Sequence, residues 1–331
     1  MIHEKGGNGM GHGREYQIGS FNVCQLSRST STRYRAMQIA DIIRHEGMDL
    51  AALQEVRDAD ALIPIMTCLG SAWDKVWIQS RPKKGLRDVD HDPAGEGYAF
   101  LWDKRRLTKI QTVLLDGRKE DFEPGLIEQY RTDPDEGLEE LVRDPVMGRF
   151  TASGLGGGNF EIRLICDHIR YNGLDEDRDR FFWPMRQNEF DVLTKSLYPK
   201  LEDTVYGSQM PAYTIILGDY NMNLMRAWTK KPYIDAPHDT VVVGDKKIVT
   251  VQDQLTTLKK QKKASEKTVG YAHNFDHFSY NVSRLSAVSP TCRRVDVVGT
   301  GYYSIYNGDY DRYRTEISDH LPIVLTIRPG G

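Results

Sequence analysis

The stretch Tyr213-Thr214-Ile215-Ile216-Leu217-Gly218-Asp219-Tyr220-Asn221 carries a short β-rich apolar run straight into a carboxylate and an amide. A run of that length, closed by a turn residue, reads as a buried strand with Asp219 at its C-terminal end. One polar residue at a strand end is commonplace, because chain segments that leave a sheet are solvated. Here the arrangement recurs. Asp49–Leu53 is a second apolar run and leads into Gln54-Glu55. Phe160, Ile162, Leu164 and Cys166 alternate with Glu161 and Arg163 and lead to His168, and Asn22 stands near the end of a strand over Tyr16–Val23. Asp319 and His320 come just before the apolar run Leu321–Ile327, and Asp276 just before Phe278–Tyr280. Those two strands then begin where the others finish, antiparallel to some of them. The pattern predicts that Asn22, Glu55, His168, Asp219, Asp276, Asp319 and His320 meet on one rim. Carboxylates gathered in this way are ligands for a hard, oxygen-preferring divalent cation.

With 331 residues the chain can bury a large core. No internal repeat or linker divides it, so one domain over 15–329 is expected, behind a disordered Gly- and His-rich tail, 1–14, that includes His3 and His12. The formal net charge of −3 argues against gripping polyanions by bulk electrostatics and leaves the work to a metal site and local basic loops. Cys24, Cys68, Cys166 and Cys292 are scattered, without zinc-ligand spacing or the density of a disulfide framework. No stretch reaches the length of a membrane span and the N-terminus has no apolar leader, so the expectation is a soluble, cytoplasmic chain with no membrane partner.

Ser29–Thr32 offers N-caps for a helix in which Ala36, Ile39, Ala40 and Ile43 follow at helical spacing, ending near Gly47. Further helices are expected over Asp60–Leu69 and about Asp179–Leu197, the latter with Trp183, Phe190, Leu193 and Leu197 on one stripe. Strands are expected at Lys75–Gln79, Tyr98–Trp102, Thr108–Leu115, Arg149–Ala152 and Val295–Val298. Helices and strands do not alternate strictly, which suits packed sheets flanked by helices. Two segments, about 116–144 and 225–272, read as insertions. The second holds Lys259-Lys260-Gln261-Lys262-Lys263, a solvated face or a phosphate-contacting loop. Gly154-Leu155-Gly156-Gly157-Gly158 lies between two strands and reads as a hairpin turn rather than a phosphate cradle.

Phe21-Asn22-Val23, Gln54-Glu55-Val56-Arg57-Asp58, Gly218-Asp219-Tyr220-Asn221 and Ser318-Asp319-His320, in that order, resemble the endonuclease/exonuclease/phosphatase superfamily. Glu96-Gly97-Tyr98, Asp144-Pro145 to Phe150, and Asn274-Phe275-Asp276-His277 make the resemblance strongest to its deoxyribonuclease I branch. The resemblance covers nearly the whole chain outside the tail and the insertions. It implies an α/β fold: a four-layer α/β/β/α sandwich, two mixed β-sheets face to face and flanked by helices. It implies that Glu55, Asn22, Asp219 and Asp319 hold one or two Mg²⁺ or Mn²⁺ ions, with Asn221 beside them. It pairs His168 with Glu96 and His320 with Asp276 as two His/carboxylate dyads, with Asp219 and Asn221 also catalytic. Arg57, Asn221 and Tyr98 would contact substrate. His277 stands where the branch carries arginine, and Asn223 and Leu224 follow the Gly-Asp-Tyr-Asn motif with no cysteine nearby, so the disulfide common in secreted members is missing there and an intracellular setting is implied.

The chemistry suits these residue types. Phosphodiester hydrolysis needs an activated water, positive charge beside a phosphorus centre that gathers negative charge, and a proton for the leaving oxygen. An imidazole moves protons near neutral pH, and a carboxylate behind it fixes its tautomer. The expected activity is a Mg²⁺-dependent endonuclease cutting DNA with little sequence preference, restrained in the cell by a protein partner. The alternative is a phosphatase or phosphodiesterase on a small phosphoester such as an inositol phosphate, lipid headgroup or nucleotide, and a third reading is a non-catalytic binding module.

Overall fold

Alternation along the strands decides which side chains point between the sheets and which point outward to the helices. The computed structural model describes residues 15–80, 96–115, 141, 143–153, 158–169, 186–207, 210–224, 240–259, 270–299 and 306–329. One sheet has six strands, β1 (Tyr16–Leu26), β2 (Leu50–Val56), β3 (Trp73–Gln79), β4 (Gly97–Asp103), β12 (Thr291–Arg294) and β13 (Ile323–Ile327), in the order β12-β13-β1-β2-β4-β3. The other has seven: β5 (Thr108–Leu114), β6 (Val146–Ser153), β7 (Asn159–His168), β8 (Ala212–Asp219), β9 (Thr240–Val243), β10 (Lys246–Val251) and β11 (Asp276–Asn281), in the order β5-β6-β7-β8-β11-β10-β9. Both are mixed: β1 runs parallel to β2 and β7 parallel to β8, and their other neighbours are antiparallel.

Ile18, Phe100, Phe150, Ile162, Leu164, Ile215, Leu217 and Leu325 fill the space between the sheets. Ile216, one residue out of phase, points the other way, with Ile165 and Met147, into the layer under Phe190, Leu193 and Leu197. On the opposite side Leu53, Val23 and Leu101 meet Ile39, Ile43 and Ile65 from α1 (Arg33–His45) and α2 (Ile63–Leu69). Each such side chain contributes about 2 kcal/mol by leaving water. The four-layer sandwich of the sequence analysis is the observed architecture. Thr32 caps α1 by accepting from the Arg35 N–H, and α2 follows a 3₁₀ turn at Ala59–Leu62 capped by Asp58.

Three expectations change. The third helix ends at Asp203 rather than Leu197, passing through a π-helical turn at Val192–Leu197 into an α-turn at Tyr198–Asp203. Pro199 sits in the first turn of that last segment, where a missing N–H is tolerated. Trp183 lies outside the described residues. Val295–Val298 is a buried loop, and the strand is Thr291–Arg294 instead. Its last register partner is Ile323, and the next would be Pro322, which has no N–H to give the ladder. The second insertion contains the β9–β10 hairpin, which extends the seven-stranded sheet beyond β11. Within it Thr257 bridges to His320 and Leu258 to Tyr271, so this segment walls the rim where the strand ends meet. Most of 116–144 lies outside the described residues, as do the tail 1–14, Lys260–Lys263 and 154–157. The pairing of Ser153 with Asn159 agrees with a hairpin at the glycine run.

Candidate active site

Register alone sets three of the rim residues abreast, because His168 pairs with Asp219 across β7–β8 and Asp276 with Asp219 across β8–β11. The facing sheet supplies Asn22 and Glu55. The Asn22 amide ties the two sheets together, donating to Glu55 Oε1 at 2.8 Å and to Asp219 Oδ2 at 3.0 Å. Both strands that carry this pair leave regular geometry at the rim: register slips between Asn22 and Leu26 and between Leu53 and Val56. Cys24, Gln25, Glu55 and Asn221 have φ of 46°, 52°, 60° and 51°. Left-handed backbone at a non-glycine residue costs of order 1–3 kcal/mol and persists where surrounding contacts impose it. Here the contacts are visible: Glu55 Oε2 accepts the Gln25 N–H at 2.9 Å, and Asp219 Oδ1 accepts the Asn221 N–H at 2.9 Å. Asn221 also donates from its side chain to Ile169 O at 2.8 Å.

Asp219 Oδ2 lies 3.5 Å from Nε2 of both His168 and His320. Behind His320, Asp276 Oδ2 stands 2.9 Å from Nδ1, the pairing expected from the resemblance. Burial works against protonation of His320, yet Asp276 and Asp219 together hold its pKa well above the ordinary histidine value. Burial, reinforced by Asp276, pushes the Asp219 carboxyl up to about 7.

His168 departs from the expected dyad. Arg143 stands between it and Glu96, with Nη1 2.8 Å from His168 Nδ1 and Nη2 3.1 Å from Glu96 Oε2, while Glu96 remains 3.6 Å from Nδ1. A guanidinium only donates, so Nδ1 accepts and the neutral ring carries its proton on Nε2, facing Asp219 and Glu55. Burial, with Arg143 and His320 adding to it, holds the pKa of His168 well below the usual histidine value. The two histidines are therefore unlike: His320 is backed directly by a carboxylate, and His168 by an arginine that is itself paired with Glu96. Arg143 was hidden in the segment read as an acidic insertion. The signal that marks it is the one that marks Asp276 and His320, a polar residue just before an apolar strand.

Other expected contacts are not formed. Tyr98 is 2% exposed and its hydroxyl accepts the His168 N–H at 3.1 Å, so it braces the end of β7 from inside and does not present itself to substrate. It points with Phe100 and Trp102 into the core between the sheets, whereas Ala99 and Leu101 point the other way. Asp319 stands apart from the cluster: Arg314 Nη2 holds its Oδ2 at 3.0 Å, and its backbone oxygen accepts the Leu258 N–H. Burial raises the Asp319 pKa, but His320 and Arg314 outweigh it and keep the carboxyl below its ordinary range. Arg57 is half-buried just beyond β2, and its buried Nε has no hydrogen-bond partner among the described residues. His277 is structural: fully buried, with Nε2 within 3.0 Å of Met222 O and Asn274 O, and its pKa driven down to about 4 by burial.

A divalent cation fits this donor set. Among the described residues, ligand atoms of Glu55, His168 and Asp219 converge within 4.8 Å, as do those of Asp219, Asp276 and His320; Asp319 is in neither group. Asp276 Oδ1 is buried and, among the described residues, has no hydrogen-bond partner, leaving an acceptor that a cation would satisfy. Each group joins carboxylate oxygens to one imidazole nitrogen, a set that can hold a divalent metal ion.

The fold is that of the endonuclease/exonuclease/phosphatase proteins. Truncated Caenorhabditis elegans TDP2 superposes with a TM-score of 0.52 at 16% identity, over 95% of this chain and 97% of that one. The endonuclease/exonuclease/phosphatase from Bacteroides vulgatus gives 0.52 at 13% identity, over 96% and 100%. A Bacteroides thetaiotaomicron protein of the same family description gives 0.50 at 13%, over 96% and 99%. No family model matches the chain, and no curated protein does.

Proposed function

We propose that this chain is a metal-dependent phosphoester hydrolase and, within that class, a deoxyribonuclease I-like endonuclease of low sequence specificity. The observation that carries the reading is Asp219 Oδ2 standing between two unlike histidines, with Glu55 and Asn22 closing the same space. Glu55, Asn22 and Asp219 would hold the ion, and the bound Mg²⁺ or Mn²⁺ would supply positive charge to a phosphate oxygen. His320, steadied by Asp276 at Nδ1, is placed to move a proton at Nε2. His168 offers its Nε2–H as a donor, and Arg143 keeps that tautomer. Arg57 and the Asn221 side chain would contact the phosphate backbone. DNA is the proposed substrate and a restraining protein the proposed partner.

A second reading, a phosphatase or phosphodiesterase on a small phosphoester, draws on the rim's charge. Arg314, Arg312 and Arg294 are each paired, with Asp319, Glu316 and Asp296. A rim neutralised in this way attracts a long polyanion weakly. Supercoiled plasmid incubated with the protein and Mg²⁺, Mn²⁺ or EDTA, beside His168→Ala and His320→Ala, separates the two. Metal-dependent nicking lost in both variants supports the nuclease, whereas intact plasmid with phosphate release from small esters replaces it with the second reading.

A further inference from the structure

Three backbone carbonyls at the edge of the site converge on one guanidinium that the proposed chemistry does not use. Arg35, in the first turn of α1, is 9% exposed, and its Nη2 donates to Val23 O, to Cys24 O at 2.7 Å and to Ile317 O at 2.7 Å. Val23 and Cys24 belong to the irregular end of β1, where the ladder to β2 is interrupted and Cys24 and Gln25 are left-handed. Ile317 precedes Ser318, whose hydroxyl donates to Asn22 O at 2.7 Å and accepts the His320 N–H at 3.0 Å. The Cys24 N–H donates to Asn22 Oδ1 and the Gln25 N–H to Glu55 Oε2, each at 2.9 Å. One buried cation thus clamps the step that orients Asn22 and Glu55 to the segment that carries His320.

We propose that Arg35 is a positioning residue, which locks the left-handed Cys24–Gln25 step against Ile317–His320 and thereby sets the spacing of the two halves of the site. A backbone group buried without a partner is strongly disfavoured. With Arg35 removed, the three carbonyls turn toward water and carry Cys24 and Gln25 with them. Lysine keeps the charge but brings one compact ammonium on a flexible stem, so it restores the clamp in part. The inference rests on the proposed hydrolase only for its activity readout, since the displacement of Cys24 is measurable without metal or substrate.

The test compares wild type, Arg35→Lys and Arg35→Ala with Arg149→Ala, which breaks a buried ion pair to Glu161 in the other sheet and controls for lost stability. N-ethylmaleimide labelling followed peptide by peptide reads Cys24 against Cys68 in the same molecule. The expected result is a Cys24/Cys68 ratio at least ten-fold higher in Arg35→Ala, several-fold higher in Arg35→Lys and unchanged in Arg149→Ala. Mn²⁺ binding followed by electron paramagnetic resonance should weaken at least ten-fold in Arg35→Ala, with kcat falling and KM little changed. Should Arg35→Ala fail to fold, Arg35→Lys decides. Wild-type Cys24 labelling in folded Arg35 variants overturns the proposal. Raised labelling in a protein inert toward every phosphoester overturns the hydrolase reading and leaves this one standing.

Discussion

Replacing Arg143 with methionine tests the asymmetry between the two histidines. The substitution keeps much of the side-chain volume and removes the donor at 2.8 Å from His168 Nδ1 together with the partner of Glu96 at 3.1 Å. A buried hydrogen bond involving a charged group is worth about 1.5–3 kcal/mol. If that is spent on holding His168 in its working tautomer, kcat falls about 10- to 100-fold, at 1.36 kcal/mol per decade. The direction with pH follows as well. Burial and Arg143 both depress the pKa of His168, so losing the cation raises it, and the ring takes up its proton at a higher pH than in the wild type. If neutral His168 is the working form, the acid limb of the pH–rate profile moves to higher pH. With Arg143 gone, Glu96 at 3.6 Å also becomes free to accept a proton from Nδ1, the dyad expected from the resemblance. Initial rates of plasmid nicking between pH 5 and 9, at saturating Mg²⁺, measure both effects. An acid limb that stays in place or moves down, or an unchanged kcat, refutes the assignment of Nδ1 as an acceptor from Arg143.

Asp167 is 1% exposed, both its carboxylate oxygens lack hydrogen-bond partners among the described residues, and burial pushes its pKa up to about 7 from 3.8. The folded state therefore binds more protons than the unfolded one between those values, and its stability falls as pH rises through that window. Asp167→Asn should stabilise the protein by up to about 4 kcal/mol at pH 8 and by little at pH 4, measured by urea denaturation at both. Mg²⁺ at a hundred times its Kd should stabilise the wild type by about 2.7 kcal/mol in the same assay, and Glu55→Gln should abolish most of that increment. Tyr98→Phe should cost about 1 kcal/mol of stability through the lost bond to the His168 N–H and leave KM unchanged. A raised KM in that variant would restore Tyr98 to the substrate surface.

What was legible in the sequence is what local pattern controls. The alternation of Phe160 to Cys166 and the runs ending at Glu55 and Asp219 placed one rim, because strand period and strand end are properties of a few consecutive residues. The β9–β10 hairpin carried an equally local signal, Val243-Gly244-Asp245-Lys246 between two short β-branched runs, but the polar sequence around it made the whole region read as an insertion. The end of the third helix was not legible for a different reason, since a proline such as Pro199 ends a helix or begins one according to a register that a π-turn resets upstream.

Side-chain direction at the rim was less legible, because it depends on bulges set by partners far away in sequence. Glu55 faces the site because β2 breaks register with both β1 and β4 and takes a left-handed step, held by the N–H of Gln25, thirty residues earlier. Tyr98, only two residues from Glu96, turns inward on a strand that keeps its regular pleat there. Asp319 and His320 are adjacent in sequence, yet one is drawn to Arg314 and the other to Asp276 on the facing sheet. A motif names the residues available at the rim, and the long-range contacts of Arg35, Arg143 and Arg314 decide which of them face the reaction. Three buried or half-buried arginines in these roles also reconcile a net charge of −3 with a site rich in carboxylates, because the positive charge is placed against particular atoms rather than spread over the surface.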